Sequence, residues 1–421
     1  MAEPLDRFDV VVVGAGPGGV AAAVTAAEAG RCVCLIDDAA FAGGQIWRNR
    51  GVEHRPREAR AWLERLDRAA ITRWTQSRVI AVPSPGVLLV ETPDGPRRVA
   101  WRSLVLATGA RELFLPFPGW TLPGVVGAGG MQALVKQGLP VAGKRIVVAG
   151  TGPLLLAVAD LMKRKGAIVP SVLEQTPTNR LNRFGLSLVS RPKKLLAGVW
   201  LRARLLGSGY TADAYPLRVT RSAGGLRIDY RVGTWETSVD CDYFACGFNL
   251  IPNNELPQVI GCETDGDGFV CVDEKSQASV PNVFAVGELT GIGGVDKAVI
   301  EGRLAGLTII GNTAAAARLE RSHEADLAFT RRLAAAFALR PELLDLAEPA
   351  TFVCRCEDVT LAMTQTSISG RDAKLQTRCG MGPCQGRICG PILMRLRGVE
   401  PPQVRPPVFA TPVQNLIDAG S

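Results

Sequence analysis

The sequence predicts an α/β fold with two dinucleotide-binding units, followed by a small cysteine-rich domain. Three observations predict it. The glycine turn "GAGPGG" follows an apolar run near the N-terminus. A second turn, "GTGPLL", follows another apolar run from residue 150 onward. Five of the eleven cysteines fall between Cys354 and Cys389.

The first element is the β-branched run "FDVVVV" at residues 8–13. Its four consecutive valines suit a strand buried on both faces of a parallel sheet. Gly14 to Gly19 then read as G-x-G-x-x-G, with Pro17 and Gly18 inside the turn, ahead of an alanine-rich helix and a second strand, "RCVCLID". Gly14 permits the tight turn, Gly16 lets backbone approach a pyrophosphate, and Gly19 lets helix and strand pack closely. The helix N-terminus offers N–H groups and partial positive charge to that pyrophosphate. Asp37 ends the second strand, where a carboxylate accepts hydrogen bonds from ribose hydroxyls. Cys32 and Cys34 read as small core residues on one face of that strand.

Residues 144–149, "KRIVVA", begin the second unit, with Gly150 and Gly152 at its turn, a helix, and "IVPSVLEQ" as the next strand. The third glycine position is Leu155, which overpacks the helix–strand contact unless the local geometry differs. Glu174 would repel a 2′-phosphate and so disfavours NADPH. Three readings stay open for this unit: NAD(H), another adenine nucleotide, or an empty scaffold. "GVVGAGG" (124–130) reads as a connecting loop, and "CDYFACGF" (241–248) as a strand returning to the first domain. His54 and His323 read as solvent-facing.

Among the terminal thiols, Cys354 and Cys356 form C-x-C, and Cys379 and Cys384 form C-x4-C after a gap of 22 residues; Cys389 is the fifth. Four thiolates on two short loops can hold tetrahedral zinc or a [2Fe–2S] cluster. This spacing suits two irons better than the usual C-x2-C zinc knuckle. The charged stretch 315–349 reads as a helical connector ended by Pro349.

Hydrophobic residues make up 47% and charged residues 21% of the 421, an ordinary globular composition. No apolar run is long and clean enough to span a bilayer. The opening glycine-broken stretch reads as strand–turn–helix and not as a signal peptide. These features predict a cytoplasmic chain, free or peripheral to the inner membrane, with metal-bound or reduced cysteines. The net charge of +8 is dispersed and aromatics are only 6%, which argues against nucleic-acid binding. The densest basic run, residues 179–204, holds seven Lys/Arg and no acid. It reads as an amphipathic surface helix, with a docking face for an acidic partner as the other reading.

Three further stretches carry a resemblance. "FAGGQIWR" (41–48) contains Gly44, Gln45 and Arg48, "WRSLVLATGA" ends in Ala107, Thr108 and Gly109, and "SVPNVFAVGELTGIGG" carries Gly287 and Glu288. With the first turn, they resemble the two-dinucleotide-binding-domain flavoproteins of the thioredoxin/glutathione reductase type. The resemblance implies FAD on the first unit, with Glu288 replacing the family's usual Asp beside the flavin. "VCRCEDVT" and "TRCGMGPCQGRIC" resemble the bacterioferritin-associated-ferredoxin-like (BFD-like) [2Fe–2S] domain. That resemblance implies Cys354, Cys356, Cys379 and Cys384 as ligands and Cys389 as a nearby structural thiol.

The order of parts resembles the alpha subunits of heteromeric amine and imino-acid dehydrogenases: opine oxidases, D-hydroxyproline and L-proline dehydrogenases, and hydrogen cyanide synthase. It implies an FAD domain at 1–120 and 241–314, an NAD-binding-like domain at 121–240, the connector, and an iron–sulfur domain at 350–421. It also implies a hetero-oligomer. A D-amino-acid-oxidase-like, FAD-containing beta subunit would oxidise the substrate C–N bond, with FMN at the subunit interface in some members. Electrons would leave through this chain toward a respiratory acceptor. The residues themselves show no general base or nucleophile and point to electron relay. The rival readings are a stand-alone NAD(P)H-dependent FAD/[2Fe–2S] reductase and a redox-silent nucleotide-bound scaffold.

Overall fold

The computed structural model describes residues 5–47 and 56–417. Arg48 and His54 lie outside them. The chain divides into two compact units, one of residues 1–111, 251–331 and 403–421, the other of 112–250 and 332–402.

The first unit is built on a sheet with the strand Leu5–Val13 at its centre. Residues Val10, Val11 and Val12 have no exposed surface. This strand pairs in parallel with Val33–Ile36 on one side and Gly95–Leu106 on the other. Ile71–Trp74 continues the sheet beyond Val33–Ile36, and Val283–Ala285 pairs in parallel with the end of Gly95–Leu106. Register decides the site. Val13 is level with both Ile36 and Leu106, and Ala285 is level with Leu106. Gly14, Asp37, Ala107 and the Gly287 turn therefore emerge at one edge, beyond the carboxyl ends of parallel strands, where this architecture places its ligands.

The helix Pro17–Glu28 is rich in glycine and alanine because it lies against another helix, Val295–Ile309. A Cβ on Gly302 would run into Gly18 O, and one on Gly306 would come within 2.8 Å of Thr25 Cβ. The two backbones can touch only because these positions lack side chains. Cys34 is buried as expected, whereas Cys32 precedes the strand and is exposed.

The second unit holds a five-stranded parallel sheet in the order 209–212, 171–174, 146–150, 243–247, 125–127. An antiparallel meander covers Ala214–Ser222, Gly225–Val232 and Trp235–Cys241. Two expectations are corrected here. The stretch 124–130 is no connecting loop: Val125–Gly127 is a strand, and Ala128–Lys136 is a helix. Likewise "CDYFACGF" does not return to the first domain, since Tyr243–Gly247 pairs in parallel with Ile146–Gly150. Its end, Cys246-Gly247, occupies in this sheet the place that Leu106-Ala107 occupies in the first. Gly14 abuts Ala107 O as Gly150 abuts Gly247 O, each with positive φ.

The basic run forms two helices, Thr178–Ser187 and Pro192–Arg204, divided by a 3-10 turn before Pro192. Neither contains a buried residue. The stretch expected to be a helical connector, 315–349, is helical as far as Ala336, within the helix Thr313–Ala336.

Candidate functional site

At the first glycine turn the predicted residues come together. The helix Pro17–Glu28 has no side-chain cap at Gly16, so its first N–H groups remain available to an anion. A Cβ placed on Gly16 would meet nothing within 4 Å, which leaves open space over the turn. A Cβ on Gly19 would strike Gly14 O, so this glycine holds helix against strand as its motif position requires. Asp37 sits at the turn itself: Oδ2 accepts from Ala15 N–H at 2.5 Å and Oδ1 from Ala39 N–H at 2.8 Å. Gly44 closes the same edge, and a Cβ on it would lie 2.9 Å from Gly16 Cα. Gln45 belongs to the short helix Gly44–Trp47 that follows. Thr108 Oγ1 donates to Asn253 O at 2.7 Å, and Asn253 Nδ2 returns a bond to Thr108 O at 2.9 Å, which fixes the 107–109 corner.

On the other side of this edge, Glu288 makes no hydrogen bond among the described residues. Burial pushes its carboxyl above the usual range, with Lys297 opposing. A desolvated acceptor beside an open glycine cradle fits a polyhydroxyl chain and pyrophosphate. The residues present therefore fit FAD.

Sequence reasoning missed a buried ionic cluster behind this turn. Lys297, Glu301 and His323 are 1%, 0% and 4% exposed, so His323 is not the solvent-facing residue expected. Lys297 Nζ donates to Gly287 O at 2.8 Å, to Thr290 Oγ1 at 2.6 Å and to Glu301 Oε2 at 2.9 Å. Glu301 Oε2 also accepts from Gly287 N–H at 2.7 Å and Thr290 Oγ1 at 2.9 Å, while Oε1 lies 3.0 Å from His323 Nε2. Burial alone would raise the Glu301 pKa, but Lys297 and His323 outweigh it and hold the carboxylate below its usual range. The cluster clamps both backbone groups of Gly287. Its sequence signal was the i, i+4 pair Lys297/Glu301 on one helix.

The second glycine turn is furnished differently. Glu174 Oε2 accepts from Gly152 N–H at 2.7 Å and Oε1 from Thr176 N–H at 2.9 Å. Burial raises the Glu174 carboxyl despite these bonds. Leu155, the misfit of the motif, is 1% exposed and packs in the core of this unit. Residues 337–340 lie across the turn. Gln175 Nε2 donates to Ala338 O at 3.2 Å and to Thr151 Oγ1 at 3.0 Å, and Arg340 N–H donates to Gln175 Oε1 at 3.2 Å. The Arg340 guanidinium pairs with Asp213 at 2.7 Å, and a Cβ on Gly152 would lie 3.9 Å from the Phe337 ring. Where the first turn is open, the second is covered by its own chain.

The terminal thiols converge. The Sγ atoms of Cys354, Cys379 and Cys389 all lie within 4.8 Å of one another, and Cys356 Sγ is 3.9 Å from Cys384 Sγ. Cys389, set aside by motif as a neighbour, thus joins the group from the first position of the helix Cys389–Arg397. The crowding of these thiols sets their protons against one another. Cys379 and Cys389 hold Cys354 well below the ordinary thiol range, and Cys389 beside Cys384 lowers it to about 5. Cys379, beside Cys354, is pushed up to about 12. Glycines make the fold of this loop possible: a Cβ on Gly382 would strike Cys356 Cβ, and Gly380 and Gly386 both need positive φ. Clustered sulfurs that compete for protons are a donor set suited to a cation, and soft thiolates favour iron–sulfur clusters or zinc. Cys241 and Cys246 are buried, and burial raises both thiols, Cys241 to about 12.

Comparisons with known proteins agree with this geometry. The family model described as pyridine nucleotide-disulphide oxidoreductase matches residues 8–302. The A subunit of opine oxidase from Rhizobium meliloti (strain 1021) is 33% identical, over 93% of this chain and 92% of that relative. The HcnB subunit of hydrogen cyanide synthase from Pseudomonas aeruginosa is 32% identical, over 90% of each. Among solved structures, L-proline dehydrogenase from P. horikoshii superposes with a TM-score of 0.70 at 17% identity, over 98% of this chain and 80% of that one. Thioredoxin reductase from T. acidophilum gives 0.58 at 22% identity, over 73% and 99%. These two show the shared fold. No described helix is long and apolar enough to cross a membrane. With an open glycine cradle, a matching acid at each side and a family match over most of its length, the chain belongs to the pyridine nucleotide-disulphide oxidoreductase family, as an FAD-dependent oxidoreductase.

Proposed function

We propose that this chain is the electron-transferring subunit of a heteromeric dehydrogenase or oxidase that oxidises the C–N bond of an amino acid, imino acid or opine. A D-amino-acid-oxidase-like subunit with its own FAD performs the oxidation. Electrons would pass to the FAD of this chain, and to a [2Fe–2S] cluster that Cys354, Cys356, Cys379 and Cys384 would hold, with Cys389 as a nearby structural thiol. FMN at the subunit interface belongs to the same reading, as does a cytoplasmic location, free or peripheral to the inner membrane.

The observation that carries the proposal is the convergence of five thiols in a chain that also has an open FAD cradle. A flavin takes two electrons and can release them singly, and an iron–sulfur cluster carries one at a time. The relative that is an opine oxidase A subunit supports the substrate class. The rival stand-alone NAD(P)H reductase is disfavoured by residues 337–340 lying over the second turn.

The test is co-purification with the oxidase-like chain and assay with a dye acceptor. Proline, hydroxyproline, sarcosine or an opine should be oxidised only when both chains are present. Turnover of any of them by the isolated chain, on the order of 1 per second or faster, would sink the proposal.

A further inference from the structure

The second unit contains a cavity of about 340 Å³ that none of the functions above uses. We propose that it binds the head group of a lipophilic quinone and is the exit for electrons from the thiol centre. The inference rests on the electron-relay reading and names the acceptor that it leaves open.

The volume falls in the range of small-ligand sites, roughly 300–1,000 Å³. Phe114, Phe117, Trp120 and Phe248 supply its aromatic walls, and Gln137 and Arg355 its polar side chains. Arg355 lies between Cys354 and Cys356 in the sequence, so the cavity's cation is the immediate neighbour of two of the thiols. The link is also mechanical. Trp120 Nε1–H donates to Phe352 O at 2.7 Å, and Phe352 begins the short strand that ends in Cys354. Cavity wall and thiol loop are thus held together. Leu134, 43% exposed, forms an apolar rim, where an isoprenoid tail can leave.

The chemistry of the lining selects the ligand. The helix Ala128–Lys136 starts at the cavity, and its N-terminus would be the natural phosphate cradle. It is already engaged: Glu112 accepts from Gly129 N–H at 2.7 Å and from Gly130 N–H at 2.9 Å. A nucleotide or phosphorylated flavin would place its phosphate beside that carboxylate, with Arg355 as the lining's single cation. A flat, neutral ring with carbonyl oxygens suits the site better. Its faces stack on the aromatic walls, and its oxygens accept from Gln137 and Arg355. The guanidinium also stabilises the negative charge that develops on an oxygen as electrons arrive. The full step would reduce the quinone by two electrons, which a cluster held by Cys354, Cys356, Cys379 and Cys384 would supply singly. The quinone takes two protons from solvent and leaves as the hydroquinone.

Binding can be measured on the purified, oxidised holoprotein without its partner. Menadione and a short-chain ubiquinone should quench tryptophan fluorescence saturably. Ala133→Phe, which fills the cavity, and Arg355→Gln should each weaken binding at least tenfold, with flavin and iron content at wild-type levels showing that the variants are folded. Absence of saturable quenching in the wild type, or wild-type affinity in Ala133→Phe, would overturn the inference, as would competitive and tighter binding of FMN. A protein that purifies without iron would defeat the relay reading instead, and would leave the quinone titration to be judged by itself.

Discussion

Replacing Lys297 by Met tests whether the buried ionic cluster holds the Gly287 turn. The ammonium, 1% exposed, makes three hydrogen bonds within 2.9 Å, one of them to a carboxylate with no exposed surface. Met preserves much of the volume, so packing changes little and the loss is mainly electrostatic. Breaking a buried pair by removing one partner costs about 3–5 kcal/mol, because the remaining charge is left uncompensated. Glu301 keeps Gly287 N–H, Thr290 and His323 as partners, which argues for the lower end, about 3 kcal/mol.

The pH dependence has a definite sign. In the native chain the Glu301 pKa is depressed, so its contribution is present above the unfolded pKa and is lost as pH falls through the folded one. In Lys297→Met the strongest opposing influence is gone and burial raises that pKa. The variant then gains a proton as pH falls, and its deficit shrinks. Urea denaturation of both proteins at about pH 8 and about pH 5.5 should show the larger difference at the higher pH. Lys297→Met/Glu301→Gln should recover part of the loss. A deficit below about 1 kcal/mol at the higher pH, or one that ignores pH, would refute the reasoning.

Gly16→Val should yield a folded chain that purifies without flavin, because the side chain enters the space open over the turn; undiminished flavin absorbance would count against the cradle. Cys379→Ser should abolish the EPR signal of a reduced [2Fe–2S] centre while FAD remains. Cys389→Ser should retain iron but shift the g-values, since its Sγ lies within 4.8 Å of those of Cys354 and Cys379; zinc in place of iron would defeat both expectations. NADH added anaerobically should not bleach the flavin promptly, and prompt bleaching would show that residues 337–340 do not close the second turn. In the metal-free chain at about pH 7, iodoacetamide should label Cys384, whose pKa is lowered to about 5, well before buried Cys246, whose thiol is held protonated. Equal labelling by mass spectrometry would contradict those shifts.

The first dinucleotide unit was legible in the sequence because its determinants are local. The apolar run "FDVVVV", the turn from Gly14 to Gly19 and the acid at Asp37 lie within about 30 residues, the span of one βαβ unit. Gly14 and Gly19 answer to close contacts that their motif positions already imply, and Gly16 keeps clear the space that its position requires. The helical character of Thr313–Ala336 and the thiol-rich end were legible from composition and spacing. Other features depend on which distant segments meet. "GVVGAGG" looked like a loop because nothing near it reveals that Val125–Gly127 pairs with Phe244–Cys246, or that Glu112 engages the N-terminus of the following helix. The Lys297–Glu301–His323 cluster needed the helix Thr313–Ala336 to bring His323 against Glu301. Spacing alone could not show that Cys389 joins Cys354 and Cys379, because helix and loop must first fold on one another. The second turn is the clearest case. Its sequence left three occupants open, and what decides its surroundings is a segment more than 160 residues away, with Gln175 bonded to Ala338 and Arg340. Local sequence determined the glycine turns and the thiol-rich loops. Strand register and long-range packing decided which of those turns stays open, because a cradle is closed or left free by whatever the rest of the chain lays against it.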